Sequence, residues 1–286
     1  MKHGGGAQRP SRTSAYSGAD VAASYDRLLV RYHLAAPARD LVAMLKLSAG
    51  ALVLDVGSGT GAAAAPAAEM VGPEGRVVAV EPSQTMLRIL QQKAACRLVA
   101  GQAPGLPFRE SLFDAVLATF VLSHFEIYES ALDDMVRVLR PRGRLGVTAW
   151  GPGQTESMRV WKEVAGTFVS LEWLEQASRD HLPWEEWFKD ETHLQRALEE
   201  ASLSGVEVRR REYRVTISLT EYLALREAGI EGRLLRQALR PERWDTFRQR
   251  ALAVFRSRFT EPIEYSRQIL LACGTKPSIE APAARA

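Results

Sequence analysis

Cysteine is scarce in this sequence, and no two cysteines have the spacing of a metal site or a redox motif. Cys96 and Cys273 are the only two among 286 residues. Each lies in an apolar, strand-like stretch without a CxxC neighbour. Isolated thiols of this kind are typical of buried free cysteines in a reducing compartment. We therefore expect a cytoplasmic protein without disulfides, and we predict no metal site.

Long apolar runs and a strong charge bias are also absent. No stretch approaches the 18 consecutive apolar residues of a membrane-spanning helix. The first 18 residues, MKHGGGAQRPSRTSAYSG, contain no apolar run and so do not resemble a signal peptide. The net charge of +3 is too small an excess to indicate binding to nucleic acid. We expect neither a membrane nor a nucleic acid as a partner, and the sequence does not reveal the oligomeric state.

The region from residue 51 to 150 alternates between strand-like and helix-like blocks. ALVLDVG and RVVAVE are mostly apolar without polar alternation, which is typical of buried strands, whereas GAAAAPAAEMV and PSQTMLRILQQKA have the composition of helices. Ser83 is a predicted N-cap, and Pro66 is expected to bend its helix. Strands without polar alternation, separated by helices, predict an α/β fold whose parallel sheet is covered on both faces.

The stretch LVLDVGSGTG, residues 52–61, places three glycines at alternate positions after a buried strand. Glycines in this pattern form a tight turn, and their missing Cβ atoms let a ligand approach the backbone. Ligands of open α/β sheets bind at the carboxyl ends of the strands. Glu81 ends the second strand, where a carboxylate can accept hydrogen bonds from ribose hydroxyls. The sequence therefore predicts a cofactor that contains a nucleoside.

Two classes of cofactor are compatible with these residues. Gly57, Gly59 and Ala62 fit the GxGxxA form of a nicotinamide fingerprint, although a single match of this kind is weak evidence. Asp55 and Glu81 make the turn acidic. An acidic turn disfavours a diphosphate and favours a cationic ligand with an amino-acid tail.

Five stretches, in order along the chain, resemble the motifs of class I S-adenosylmethionine-dependent methyltransferases. They are LDVGSGTG, VVAVEPSQTML, GQAPGLPF, FDAVLATFVLSHF and VLRPRGRLGVTAW. The resemblance covers residues 20–150 well and the strands near 206–215 and 264–273 more loosely. It is closest to the small-molecule branch that includes the ubiquinone and menaquinone methyltransferases. It implies a Rossmann-like, mostly parallel sheet of seven strands with helices on both faces, and S-adenosyl-L-methionine as the cofactor.

The resemblance also implies roles for individual residues. The glycine turn would approach the methionine moiety, with Asp55 near its ammonium group, and Glu81 would accept hydrogen bonds from the ribose. Gln102 stands where the family usually has aspartate, but its amide oxygen can still accept a hydrogen bond. The implied cofactor-binding residues are Tyr25, Asp55, Gly57, Ser58, Gly59, Glu81, Pro82, Met86, Gln102, Ala103, Thr119 and Phe120. Met86 and Tyr25 are equally compatible with a purely structural packing role.

In this fold the fifth and sixth strands both lead to the ligand-binding edge, so the segments after them are expected to form a helical cap. The predicted organisation is a disordered N-terminus (1–15), a cofactor-binding core (16–150), a helical cap insertion (151–190), a core helix and strand (191–218), a second helical cap insertion (219–260), a final core strand (261–275) and a tail (276–286). Trp150, Trp184 and Trp187 are predicted to line an apolar or aromatic substrate site. Each could instead hold the cap together.

Methyl transfer from a sulfonium is an in-line displacement, for which the protein mainly positions and desolvates the reactants. A general base is needed only if the acceptor arrives protonated. His124, in VLSHF just past the fourth strand, is the predicted catalytic residue, whereas His33, His181 and His193 are assigned no role. The resemblance thus predicts methyl transfer to an oxygen, carbon or nitrogen of a small molecule. An NAD-type oxidoreductase and a non-methylating protein that binds S-adenosylmethionine, such as a cyclase, are the alternatives.

Overall fold

A central sheet of seven strands runs through residues 18–278, the part of the chain that the computed structural model describes. The strands are β1 (Leu52–Val56), β2 (Arg76–Glu81), β3 (Arg97–Ala100), β4 (Phe113–Thr119), β5 (Leu139–Trp150), β6 (Ser204–Ile217) and β7 (Ile263–Thr275). Their order is β3-β2-β1-β4-β5-β7-β6, and only β7 runs antiparallel to its neighbours. The predicted mostly parallel, seven-stranded fold is confirmed. The disorder predicted for residues 1–15 lies outside the described residues, as does the tail from residue 279 onward.

Helices cover both faces of the sheet. They are α1 (Ala19–Ser24), α2 (Ala35–Leu45), α3 (Ala64–Val71), α4 (Gln84–Gln91), α5 (Tyr128–Val138), α6 (Glu156–Gly166), α7 (Leu171–His181), α8 (Glu191–Glu200), α9 (Leu219–Ala228), α10 (Ile230–Ala238) and α11 (Pro241–Arg258). Alternate residues of one strand point to opposite faces. In β1, Val53 packs with α2 and α3, whereas Leu54 and Val56 pack with α5 and α8. The apolar runs of the sequence are therefore strands that are buried on both sides.

Helix α3 begins later than the sequence pattern predicted. The run GAAAAPAAEMV starts at residue 61, but the helix starts at Ala64. Pro66 lies in the first turn, and the amides on either side of it, those of Ala65 and Ala67, donate to the carbonyl oxygens of Gly61 (3.2 Å) and Ala63 (3.0 Å). Proline has no amide hydrogen to continue this series, so Pro66 removes one backbone hydrogen bond, as predicted. The bend that it was expected to cause stays a prediction.

The helices α6, α7, α9, α10 and α11 form a second hydrophobic cluster beside the sheet. Trp161, Tyr222, Phe247 and Phe255 are among its most deeply buried side chains. The ends of β6 and β7 contribute Ile217 and Ile263 to the same cluster. The segments 151–190 and 219–260 are therefore largely helical, and they pack on each other at the carboxyl edge of β5 and β6. Their role as caps over the cofactor site stays a prediction. No helix within residues 18–278 is long and apolar enough to cross a membrane.

A wide, π-type helical segment, Tyr25–Leu34, follows α1 and leads the chain past the glycine turn. The Thr60 hydroxyl donates to Oδ1 of Asp26 (2.5 Å), and Lys93 forms an ion pair with the same carboxylate. These contacts bring the ring of Tyr25 next to Gly59. The N-terminal helical segment is thus hydrogen-bonded to the glycine turn of residues 57–61.

Candidate functional site

A cavity of about 950 Å³ opens at the carboxyl ends of β1, β2 and β4. Eleven of the residues that the sequence singled out line it, and they come from stretches far apart in the chain. They are Tyr25, Gly57, Gly59, Glu81, Pro82, Met86, Gln102, Ala103, Thr119, Phe120 and His124. The cavity therefore lies where parallel sheets place their ligands.

The three glycines of the turn all have positive φ but serve different purposes. At Gly57 (φ +67°) an added Cβ would lie 2.6 Å from Cγ2 of Val121, and at Gly61 (φ +93°) it would lie 2.3 Å from Cδ1 of Leu90. Gly59 (φ +52°) has more room, since its nearest neighbours would be 3.6–3.8 Å away, in the side chains of Tyr25 and Met86. Close packing requires glycine at 57 and 61, whereas Gly59 borders the cavity.

The Glu81 carboxylate holds the glycine turn in place. The Gly59 amide donates to its Oε2 (3.1 Å), and the Ser83 amide donates to its Oε1 (2.9 Å). Ser83 is the predicted N-cap of α4, and its hydroxyl accepts a bond from the Met86 amide. Burial raises the pKa of Glu81, and the two amides oppose that rise. Each oxygen keeps a further lone pair that can accept a bond from a ligand hydroxyl.

Asp55 lies beneath the turn and is completely buried. Neither of its oxygens has a hydrogen-bond partner among the described residues, and the same holds for the Ser58 hydroxyl. Burial raises the pKa of Asp55 to about 8, with the Ala64 amide opposing the rise and Glu81 adding to it. Asp55 and Ser58 do not line the cavity, so their predicted contacts with a ligand stay predictions. A buried carboxylate without a partner is costly, and a nearby cation would reduce that cost.

The raised pKa of Asp55 predicts a stability that falls as the pH rises. The folded state favours the neutral acid, so its contribution is complete below pH 4 and is lost as the pH rises toward 8. Asp55→Asn removes this titration. We expect the variant to gain stability relative to the wild type between pH 5 and about 8, measured as the free energy of unfolding in urea. A difference that is constant over this range would contradict the raised pKa.

Phe120, at the end of β4, has a backbone conformation that is unusual for a bulky residue. Its φ is +55°, a left-handed value that a phenylalanine adopts only when its surroundings impose it. The Phe120 amide donates to the carbonyl oxygen (3.1 Å) and to Oγ1 (3.0 Å) of Thr148. Its ring lies against Trp150, with the ring centroids 4.6 Å apart. Backbone and ring are therefore held in one orientation at the cavity wall.

Two histidines line the cavity from different elements. His124 ends a short 3₁₀ helix, Leu122–His124, that follows β4, and His181 ends helix α7. The Nδ1 of His181 lies 2.9 Å from the carbonyl oxygen of Ala177. A carbonyl can only accept, so Nδ1 carries the proton in the neutral ring and Nε2 is left as an acceptor. Sequence reasoning assigned no role to His181, because no local motif connects it to a residue 57 positions earlier.

The three tryptophans predicted to bind substrate have other contacts. Trp187 is 41% exposed and stacks on His193, with the centroids 3.5 Å apart. Trp184 donates to the carbonyl oxygen of Glu126 (3.3 Å) and packs against Tyr128. Of the described residues that line the cavity, none is a tryptophan. Trp150 touches the cavity only through Phe120, so the substrate roles of all three stay predictions.

The fold agrees with the family that part of the sequence matches. Residues 53–143 match the family described as "Methyltransferase domain". The chain is a class I S-adenosylmethionine-dependent methyltransferase. The predicted enzyme class and cofactor are thereby confirmed, and neither the NAD-type oxidoreductase nor the non-methylating alternative is favoured.

The methyltransferase has relatives with named activities. The demethylmenaquinone methyltransferase of Listeria monocytogenes is 29% identical over 182 residues, which are 56% of this chain and 77% of that protein. The nocamycin O-methyltransferase of Saccharothrix syringae is 36% identical over 132 residues, 43% of this chain and 46% of that protein. The solved structure of phosphoethanolamine N-methyltransferase 2 from Haemonchus contortus has a TM-score of 0.58 at 16% identity, covering 94% of this chain and 61% of that one. This last likeness shows the fold.

Proposed function

We propose that this methyltransferase transfers a methyl group to an oxygen, carbon or nitrogen of a small apolar or aromatic molecule. The observation that carries the proposal is that one cavity extends from the glycine turn to the residues that follow β4 and to the end of α7. Beyond the turn, Val121, Phe125 and Ile127 give the cavity apolar walls, and its polar groups include His124 and His181. A volume of about 950 Å³ is at the upper end of the range for small-molecule pockets.

The residues at the turn fit S-adenosyl-L-methionine. The bound cofactor supplies an electrophilic methyl group on a positively charged sulfur. We propose that the open backbone at Gly59 admits its methionine part and that Glu81 accepts bonds from its ribose. Pro82, Met86, Gln102 and Ala103 are proposed to surround the adenine. The unpartnered Asp55 carboxylate below the turn supports this proposal, because a cationic ligand would offset its burial.

The acceptor is proposed to bind beside Phe120 and the end of helix α7. Thr119 and Phe120 end the strand that faces the cavity, and His181 approaches from α7. If the acceptor is a hydroxyl, His124 or His181 can take its proton as the methyl group is transferred.

The proposed function can be tested in two steps. Calorimetric titration with S-adenosylhomocysteine and with NAD measures the affinity of the protein for each of these two ligands. We expect micromolar binding of S-adenosylhomocysteine and none of NAD. Methyl-labelled S-adenosylmethionine is then incubated with a panel of naphthols, hydroquinones and aromatic amines, and labelled product is measured. Binding of the cofactor without transfer to any panel member would contradict the proposed acceptor class and leave the enzyme class intact.

Glu81→Gln should weaken the affinity for S-adenosylhomocysteine by about 10- to 100-fold, because a charge-assisted bond contributes about 1.5–3 kcal/mol. The amide side chain keeps the size of glutamate but has one acceptor oxygen instead of two. Glu81→Ala should also destabilise the fold, since it leaves the buried Gly59 and Ser83 amides without their acceptors. Substitution of a residue that only contacts the ligand would leave the stability of the fold unchanged.

The measurement is calorimetric titration with S-adenosylhomocysteine, combined with urea unfolding of each variant. Glu199→Gln, on the exposed face of α8, is the control. Unaltered affinity in Glu81→Gln would remove the residue from the proposed cofactor site.

A further inference from the structure

A group of buried polar atoms without partners lies between helices α6 and α9. Trp161 is 0% exposed and Tyr222 is 1% exposed. The indole Nε1 of Trp161, the Tyr222 hydroxyl and Nε of Arg226 have no hydrogen-bond partner among the described residues. Buried polar groups in native proteins are nearly always hydrogen-bonded, so each exception needs an explanation. All three of these atoms can donate a hydrogen bond.

Arg267, on β7, brings an unpaired positive charge to the same region. It is half-buried, and its guanidinium forms no ion pair or hydrogen bond with any described residue. Its Cζ lies 4.1 Å from the ring centroid of Trp150. Burial lowers the pKa of Arg267, and the charge of Arg226 lowers it further. An arginine placed here without a carboxylate opposes folding unless something else uses it.

The charged and titratable groups around Arg267 do not neutralise it directly. Arg226 is already paired with Glu231. Tyr265 shares a hydrogen bond with Nε2 of His33 (2.7 Å), and burial lowers the pKa of that histidine well below its usual value. Glu185 is near enough to interact electrostatically, but its carboxylate is not within 4.0 Å, and burial raises its pKa. Among the described residues, no carboxylate therefore forms an ion pair with this arginine.

Trp150 connects this region to the proposed site of methyl transfer. One contact of its ring is with Phe120, which lines the cavity, and another is with the Arg267 guanidinium. The Gly151 amide donates to the carbonyl oxygen of Gln268 (2.8 Å), so the end of β5 is fixed beside Arg267. Arg267 is thus separated from the cavity by the rings of Trp150 and Phe120.

We propose that Arg267 binds an anionic oxygen group, a carboxylate in particular, on the methyl acceptor. A guanidinium presents two parallel N–H groups that match the two oxygens of a carboxylate. With its carboxylate at Arg267, the acceptor would place its reacting atom near Phe120, which lines the cavity. The inference rests on the proposed function, since it names the class of small molecule that this enzyme methylates: an aromatic acid.

The test compares two probes of the same shape and different charge. The protein is saturated with S-adenosylhomocysteine, and 2-naphthoate or neutral 2-naphthamide is titrated into it by calorimetry. We expect the carboxylate to bind about 10- to 100-fold more tightly than the amide, as a charge-assisted bidentate pair implies. Arg267→Gln should remove this preference. Arg243→Gln, which alters an exposed guanidinium over the ring of Phe168, should preserve it.

A second measurement separates a ligand-binding arginine from a structural one. Arg267→Met removes an unpaired charge and keeps an apolar stem beside Trp150, so its melting temperature should equal or exceed that of the wild type. A fall of several degrees would show that Arg267 supports the fold and would overturn the proposal. Equal binding of the two probes, no binding of either at millimolar concentration, or a preference that survives in Arg267→Gln would overturn it too. Failure to bind S-adenosylhomocysteine in the first place would instead count against the proposed function.

Discussion

Gly59→Val should abolish binding of S-adenosylhomocysteine and leave a folded protein. The residue has a φ of +52°, which a β-branched side chain adopts only with strain. Its Cβ would enter the space between the turn, Tyr25 and Met86, with the nearest atoms at 3.6–3.8 Å. The two methyl groups beyond Cβ would then occupy the cavity where the cofactor is proposed to approach the backbone. Calorimetric titration at concentrations up to about 100 times the wild-type Kd measures the loss.

Two further glycine variants are controls, one for backbone strain and one for loss of stability. Gly205→Val has a comparable φ of +58° and no neighbour within 4 Å of its Cβ, so it should carry the backbone strain and bind the cofactor normally. Gly61→Val places its Cβ 2.3 Å from the buried Leu90 and should lower stability as well as binding. Wild-type affinity in Gly59→Val would show that the turn is not the place where the cofactor binds.

His124→Ala and His181→Ala should lower kcat for a hydroxyl acceptor, by about 10²–10⁴-fold in the variant that lacks the general base. Both histidines line the cavity, and the ring of His181 has its Nε2 free to accept a proton. Affinity for S-adenosylhomocysteine should be unchanged in both variants. The loss should shrink as the pH rises toward the pKa of the acceptor, because the acceptor then ionises without help. Methyl-transfer rates of wild type and variants, measured from pH 6 to pH 10, show this directly.

His193→Ala is the matched control for this experiment. Its Nδ1 bonds a backbone carbonyl, that of Trp187 at 3.0 Å, as His181 does, but it stacks on an exposed tryptophan and does not line the cavity. Its kcat and pH profile should equal those of the wild type. Equal kcat and parallel profiles in all three variants would remove the histidines from the chemistry. They would indicate a carbon or neutral nitrogen acceptor, for which positioning and desolvation suffice.

The sequence alone determined the fold class and the edge of the sheet where the cavity opens. Mostly apolar runs without polar alternation, such as LVLDV and RVVAVE, are typical of parallel strands that are buried on both faces and separated by helices. The alternate glycines indicated where the backbone turns tightly, because the absence of Cβ is a property of each residue by itself. Ordered motifs in residues 20–150 were enough to predict the enzyme class and S-adenosyl-L-methionine.

Only the tertiary structure decided which distant side chains share a space. His181 reaches the cavity because α7 folds back over it, and Arg267 meets Trp150 because β7 pairs antiparallel with β5. Trp187 was predicted to line the substrate site, but its ring stacks on His193 and it does not line the cavity. Periodicity reports which face of an element is apolar, but it carries no information on which elements then meet. The cavity residues on the glycine turn and at the strand ends could therefore be predicted from contiguous motifs, whereas His181 joins them only when the helices pack.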